Sequence, residues 1–180
     1  MNIQTFYQEA LKFATSKHLE KDQKVPGTNM PYMVHLSNVA MEILVAGGQT
    51  KGFDLSFAVQ VALLHDTLED TDTSFKELEN GFGLEIAKAV LALSKNHDLQ
   101  KDQQMSDCLV RIKQLKMEVW AIKLADRITN LQTPPPHWDN AKKIKYHQEA
   151  RVILNELKDG NNYLANRLLT KIEEYTKHIN

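Results

Sequence analysis

Residues 61–71 of this chain, which read Val-Ala-Leu-Leu-His-Asp-Thr-Leu-Glu-Asp-Thr, indicate both its fold and its chemistry. Apolar side chains recur at helical spacing through Phe57, Val61, Leu64 and Leu68, which predicts a helix with one buried face. The same helix carries a histidine next to an aspartate and, one turn later, two more carboxylates. Ionised groups are costly to bury without compensation, and a divalent cation compensates carboxylates most simply. An isolated His-Asp pair is common, so a metal site here also requires ligands from other parts of the chain.

The composition is typical of a globular protein that does not bind nucleic acid. The chain has 180 residues, with 42% hydrophobic and 25% charged residues and a formal net charge of −1. This length suits a single domain spanning residues 1–180. The net charge gives no excess of basic residues of the kind that binds nucleic acid. Cys108 is the one cysteine, so neither an internal disulfide nor a cysteine zinc site is expected. Neither a signal peptide nor a membrane span is predicted, so we expect a cytoplasmic protein without membrane association, whose oligomeric state stays open.

Helical periodicity runs through the whole sequence, and we find no convincing strand and no internal repeat. Ser74 and Glu77 form a capping-box pattern that starts a short helix. The predicted fold is all-α, a compact single-domain bundle of about nine helices. These cover approximately residues 4–17, 31–48, 55–69, 75–81, 86–93, 103–116, 118–131, 140–157 and 164–172.

Two other apolar helices carry polar residues that do not fit their surroundings. Asp126 and Asn130 lie one turn apart on the most apolar helix, and His35 lies among valines and a leucine. Each has an ordinary explanation. Asp126 could pair with Lys123 or Arg127, and a single histidine in an apolar helix is often a core residue with a satisfied hydrogen bond.

Considered together, these residues predict a metal centre. Two imidazoles and two carboxylates from three apolar helices form a mixed nitrogen and oxygen set that suits manganese, iron or zinc. Four protein ligands on a six-coordinate metal leave positions for water and for a substrate oxygen. The candidate ligands are His35, His65, Asp66 and Asp126.

Further polar residues near these ligands suit phosphoryl transfer to water. Glu69 and Asp70 lie one turn beyond the His-Asp pair, where they could take a proton from water or give one to a leaving group. Asn130 and Thr133 could position a sugar or a phosphate by hydrogen bonds.

Three motifs in order resemble those of the HD-domain metal-dependent phosphohydrolases. They are Pro-Tyr-Met-Val-His at 31–35, Ala-Leu-Leu-His-Asp-Thr-Leu-Glu-Asp-Thr at 62–71 and Ile-Lys-Leu-Ala-Asp-Arg-Ile-Thr-Asn-Leu-Gln-Thr at 122–133. The likeness is to the hydrolase domain of RelA/SpoT-type proteins, and it covers roughly residues 4–160. Glu-Asp-Thr after the His-Asp pair is fairly specific to that branch.

The resemblance implies a manganese-dependent pyrophosphohydrolase that removes the 3′-diphosphate from the alarmones ppGpp and pppGpp. It assigns the metal to the four candidate ligands above and the attacking water to Glu69 and Asp70. It also assigns the nucleotide to Asn130 and Thr133, and places Lys142 and Tyr146 of the helix at 140–157 towards the substrate. The chain has no room for synthetase or regulatory domains, so the expectation is a small stand-alone alarmone hydrolase acting on a small-molecule nucleotide.

The sequence departs from the family pattern in the loop before the first motif. The family usually has an Arg-Lys pair there that packs on the purine, and this chain has Gln23 and Lys24 instead. Leu36 also replaces the proline that commonly follows the first histidine. Lys24 stays a candidate for substrate phosphate, together with Lys123.

Other charged residues have plainer interpretations. Lys95 and Arg127 are further phosphate candidates, for which we favour solvated surface positions. His18 and the remaining histidines have no partners at ligand spacing, so we expect surface or local structural roles.

Two alternatives to alarmone hydrolysis stay open at the level of sequence. The first is an HD-domain phosphohydrolase acting on another nucleotide, such as a nucleoside phosphate or the 2′-phosphate of NADPH, which the change at Gln23 motivates. The second is a non-catalytic module that binds an alarmone.

Overall fold

The computed structural model describes residues 2–179, and it contains helices joined by turns with no β-strand in that range. The all-α prediction is therefore confirmed. Ten α-helices are present in the described residues, and two short 3-10 turns follow α9 and α10, at Lys158–Gly160 and Thr176–His178. The helices are α1 (Ile3–Glu20), α2 (Met33–Gly48), α3 (Leu55–Leu64), α4 (Thr67–Asp70), α5 (Phe75–Phe82), α6 (Leu84–Leu93), α7 (Gln104–Lys113), α8 (Met117–Asn130), α9 (Asn140–Leu157) and α10 (Asn162–Tyr175).

The helix predicted at 55–69 is interrupted at the His-Asp pair, which explains why nine predicted helices become ten. The interruption is stabilised by side chains that bond to the carbonyls at the end of α3. His65 Nδ1 lies 2.8 Å from the Ala62 carbonyl, and Thr67 Oγ1 donates to the Leu64 carbonyl at 2.7 Å. Carbonyls at a helix end need such partners when they are buried. The break leaves Asp66 at the junction between α3 and α4.

Side-chain caps fix the starts of α5 and α9. Ser74 Oγ accepts from the Glu77 backbone N–H at 3.2 Å, as the capping-box pattern predicts. Asp139 Oδ1 accepts from the Lys142 backbone N–H at 2.7 Å and so defines the first turn of α9.

Helix α8 lies at the centre of the bundle and contacts α2, α3, α9 and α10. Ile122, Leu124 and Ala125 have no exposed surface, and each buried leucine or isoleucine contributes about 1.5–3 kcal/mol. The prediction of a solvated Arg127 is wrong, because this side chain is buried against Glu149 and the ring of Tyr146. The centre of the core thus holds charged groups as well as apolar ones.

None of the described helices has the length and apolar character that a membrane crossing would need. Apolar residues of α1–α3, α5–α10 share one hydrophobic core. The extent of the single domain over residues 1–180 stays a prediction.

Candidate metal centre and adjoining cavity

Helices α2 and α8 and the α3–α4 junction bring the four predicted metal ligands together. The Nε2 atoms of His35 and His65 lie 3.4 Å apart. Asp66 Oδ2 is 2.9 Å from His65 Nε2 and 3.5 Å from His35 Nε2. Asp126 Oδ1 lies 3.5 Å from His35 Nε2 and 3.7 Å from His65 Nε2. One ligand atom from each of His35, His65 and Asp126 lies within 4.8 Å of the other two, and all three residues are buried.

Hydrogen bonds on the far side of each imidazole orient its Nε2 atom. The Ala62 carbonyl can only accept, so His65 donates from Nδ1. Thr129 Oγ1 donates its one proton to the Asp126 carbonyl at 2.9 Å and therefore accepts from His35 Nδ1, which is 3.2 Å away. When both rings are neutral, their Nε2 atoms present lone pairs to each other and to two carboxylates. A set made only of acceptors fits a divalent cation, and partners behind histidine ligands are usual in metal sites.

The electrostatics of this cluster also favour added positive charge. Burial lowers the pKa of His65, but the Asp66 and Asp126 carboxylates outweigh it and hold that pKa well above its usual value. Burial raises the pKa of Asp66, but the facing imidazoles outweigh it and hold the pKa well below its usual value. Lys123 Nζ, which is buried, lies 3.1 Å from Asp126 Oδ2. Lys123 therefore orients Asp126 rather than meeting solvent.

The two candidate proton-transfer residues of α4 have different partners. Glu69 accepts from the backbone N–H of Lys95 at 2.9 Å and from Lys95 Nζ at 3.1 Å. Lys95 is thus an ion-pair partner of Glu69, with 36% of its side chain still exposed to solvent. Asp70 Oδ2 accepts from Gln23 Nε2 at 2.8 Å. Desolvation and the nearby charge of Asp66 raise the pKa of Asp70, which suits a group that exchanges protons.

A cavity of about 470 Å³ adjoins the four candidate metal ligands, which we call the metal cluster, and His35 belongs to both. Its walls come from the segments at 25–30 and 132–138 and from α2, α8, α9 and α10. Three of the predicted substrate residues line it, namely Asn130, Thr133 and Tyr146. A larger groove of about 650 Å³ lies between α7 and α9, and it contains none of the predicted site residues.

The two lysines predicted to contact substrate lie outside the cavity lining. Lys142 Nζ is 4.4 Å from the centre of the Trp138 ring, and Trp138 is part of the cavity wall. Lys24 forms an ion pair with Asp22. Lys142 thus reaches the cavity through Trp138, and Lys24 contacts neither the cavity nor the metal cluster directly.

Sequence reasoning missed several residues that support the cluster. Tyr32 belongs to the first motif, but only the structure shows its hydroxyl donating to Asp66 Oδ2. Thr129 lies three residues after Asp126, and that spacing is the signal that could have identified it. His18 is buried, with its ring packed on Tyr32 at a centroid distance of 4.7 Å, which rules out a surface position.

Comparison with known proteins places the chain in a family. The family described as the HD domain matches residues 10–168. A guanosine-3′,5′-bis(diphosphate) 3′-pyrophosphohydrolase named MESH1 from Danio rerio is 32% identical over 165 residues, which are 89% of this chain and 88% of that protein. The Homo sapiens MESH1 is 31% identical over 176 residues, which are 95% of this chain and 90% of the relative.

A solved structure shares the fold along almost its whole length. It has a TM-score of 0.77 and 26% sequence identity to this chain. The matched region covers 96% of this chain and 94% of the solved chain. That protein is described as a metazoan orthologue of SpoT that hydrolyses ppGpp. The chain therefore belongs to the HD-domain phosphohydrolase family and is a homologue of the MESH1 pyrophosphohydrolases.

Proposed function

We propose that this protein hydrolyses the 3′-diphosphate of ppGpp and pppGpp with a divalent metal, most simply manganese, releasing pyrophosphate and GDP or GTP. The observation that carries the proposal is the buried cluster of acceptors beside a cavity of about 470 Å³. That volume lies within the range of ligand pockets, roughly 300–1,000 Å³. The activity in the names of the MESH1 relatives supports the choice of substrate.

The metal would be held by three buried acceptor residues and the partly exposed Asp66, and its identity follows only from their mixed nitrogen and oxygen chemistry. When bound, a divalent cation polarises a phosphoryl oxygen and lowers the pKa of water. Thr129 and the Ala62 carbonyl keep both imidazoles in the tautomer that such binding needs. The ligand residues are His35, His65, Asp66 and Asp126.

Two proton transfers are needed, because hydrolysis gives a hydroxyl to phosphorus and a proton to the departing 3′ oxygen. Asp70 suits this work because its pKa is raised and because Gln23 binds only Oδ2, which leaves Oδ1 for water. Glu69 is held in one orientation by Lys95 and so can align the attacking water.

Residues of the cavity would bind the nucleoside and its other phosphates. Asn130 and Thr133 offer hydrogen-bonding groups to the cavity, although Asn130 Nδ2 also donates to Asp126 Oδ1 at 2.5 Å, whereas Tyr146 supplies an aromatic wall. Lys142 and Lys24 add positive charge outside the cavity, where the 5′-phosphates can approach. Binding of this kind orients the 3′-diphosphate towards the cluster.

The direct test is release of pyrophosphate from ppGpp by the purified protein, measured with manganese and again with a chelator. Release that stops on chelation and returns when manganese is restored is the expected result. Bound metal without turnover of ppGpp would contradict the proposal.

A second candidate function is hydrolysis of a different nucleotide at the same centre. It is favoured by Gln23, since this side chain engages His18 and Asp70 and cannot pack on a purine as an arginine would. Turnover of NADPH and of common nucleoside phosphates, measured beside ppGpp under the same conditions, separates the two candidates. A non-catalytic alarmone-binding module would instead bind ppGpp without any turnover.

A further inference from the structure

A line of hydrogen bonds connects the buried interior of α1 to the carboxylate of Asp70. His18 Nδ1 lies 2.6 Å from Gln23 Oε1, and Gln23 Nε2 donates to Asp70 Oδ2 at 2.8 Å. The backbone of Gln23 is also fixed, because its N–H donates to the His18 carbonyl and its carbonyl accepts from the Tyr32 N–H, both at 3.1 Å. Gln23 therefore has little freedom to move away from Asp70.

The chemistry of these groups gives the line one direction. An ionised carboxylate only accepts, so the amide nitrogen of Gln23 must face Asp70 and its oxygen must face His18. His18 then has to donate from Nδ1. Burial lowers the pKa of His18, and the neutral ring has a single N–H.

The other ring nitrogen of His18 is consistent with this direction. His18 Nε2 is buried and has no hydrogen-bond partner among residues 2–179. An N–H at that position would be an unsatisfied buried donor, which is costly, so the proton belongs on Nδ1. The buried imidazole thereby prevents the side-chain amide of Gln23 from flipping and exchanging its oxygen and nitrogen.

We infer that Gln23 is a positioning residue, which His18 orients and which holds the Asp70 carboxylate in its working orientation. The inference rests on the proposed function in that Asp70 acts on water. It gives the loop residue 23 a role in turnover that is separate from recognition of the base. Variants of Gln23 should therefore change kcat rather than KM.

The kinetic test compares two substitutions of similar size. Gln23→Glu keeps the acceptor for His18 but replaces the donor to Asp70 with a second carboxylate, and Gln23→Met removes both groups. We expect kcat to fall about 10-fold to 100-fold in both, as for other small losses of alignment, with KM unchanged. The matched control is Lys21→Gln in the same loop, whose partner is Asp72. Unchanged kcat in both Gln23 variants, or a loss confined to KM, would overturn the inference.

A second measurement does not depend on the substrate. Nitrogen-15 NMR of the His18 ring should show the proton on Nδ1 in the wild-type protein, and Gln23→Met should shift it towards Nε2. A wild-type ring protonated on Nε2 alone would refute the line of hydrogen bonds. If the wild-type protein binds metal but does not release pyrophosphate from ppGpp, the proposed function fails, whereas the His18 tautomer still decides whether the line exists.

Discussion

The metal cluster and the adjoining cavity are constructed in different ways. The candidate metal ligands come from helices and their junctions, and each imidazole has a second partner on a helix, such as Thr129 for His35. Much of the cavity wall consists of the non-helical segments at 25–30 and 132–138. Helices hold reacting groups more accurately than loops do, whereas loops tolerate change and adjust specificity. The departure at Gln23 adjoins the loop side of the cavity, which is formed by residues 25–30 and 132–138, so the chain differs from its family pattern there and not at the candidate metal ligands.

The largest effect is expected from removing a ligand of the cluster. Asp66→Ala leaves two buried imidazoles with one fewer carboxylate and should lower both metal content and pyrophosphate release. Loss of a partner behind a ligand typically costs about 10-fold to 100-fold, so loss of the ligand itself should exceed a hundredfold. Asp72→Ala, at a carboxylate with an exposed side chain, is the control. Metal analysis and turnover are measured together, and full metal occupancy in Asp66→Ala would contradict the assignment.

The next effect concerns the two carboxylates of α4. Asp70→Asn and Glu69→Gln keep the shape of each side chain and should keep the metal. Turnover should fall by on the order of a hundredfold or more in each, as for a lost acid–base group. Metal titration beside steady-state kinetics distinguishes this outcome from damage to the cluster. A fully active Asp70→Asn would exclude Asp70 from proton transfer.

A smaller effect on metal affinity is expected from removing the hydrogen-bond partner of His35 Nδ1. Thr129→Val removes the acceptor for His35 Nδ1 but keeps the branched shape, so metal affinity should fall about 10-fold to 100-fold. Thr129→Ser keeps the hydroxyl and should bind metal like the wild type. Saturating manganese should restore the turnover of Thr129→Val. A variant that stays slow at every metal concentration would indicate a different role for Thr129.

The sequence indicated the four candidate ligands because each of them breaks a strong helical pattern. His35, His65, Asp66 and Asp126 each lie in an apolar helix, where a polar residue is conspicuous at short range. The interruption of the helix at Asp66 was missed, because the apolar spacing continues through Leu68. The local pattern does not include the side-chain bonds to carbonyls that permit the break.

Sequence was weaker wherever partners are distant along the chain. Arg127 was expected at the surface and His18 in a surface or local structural role, and both side chains are buried. Their burial depends on how α1, α8 and α9 cross, and helical periodicity does not determine crossings. Trp138 lies in the cavity wall because the segment 132–138 packs beside α9, which the local pattern does not determine.

The smallest effect is expected from a substitution in the loop side of the cavity. Two glycines provide a matched pair, one in the cavity wall and one outside it. Gly27 and Gly52 have φ values of 78° and 77°, so alanine at either site should cost about 1–2 kcal/mol of unfolding free energy. A Cβ at Gly27 would lie 3.3 Å from Cα and Cβ of Pro135, whereas a Cβ at Gly52 meets nothing within 4 Å. Gly27→Ala should therefore also push the 25–30 segment away from Pro135 and widen the cavity.

The two alanine variants should have similar melting temperatures but different kinetics. KM for the nucleotide should rise in Gly27→Ala alone, with kcat unchanged, because the loop side affects binding and the cluster carries the chemistry. Thermal unfolding and steady-state kinetics on both proteins test this. A fall in kcat with unchanged KM in Gly27→Ala would show that the loop also controls the geometry of the cluster, and the division between the two regions would then be wrong.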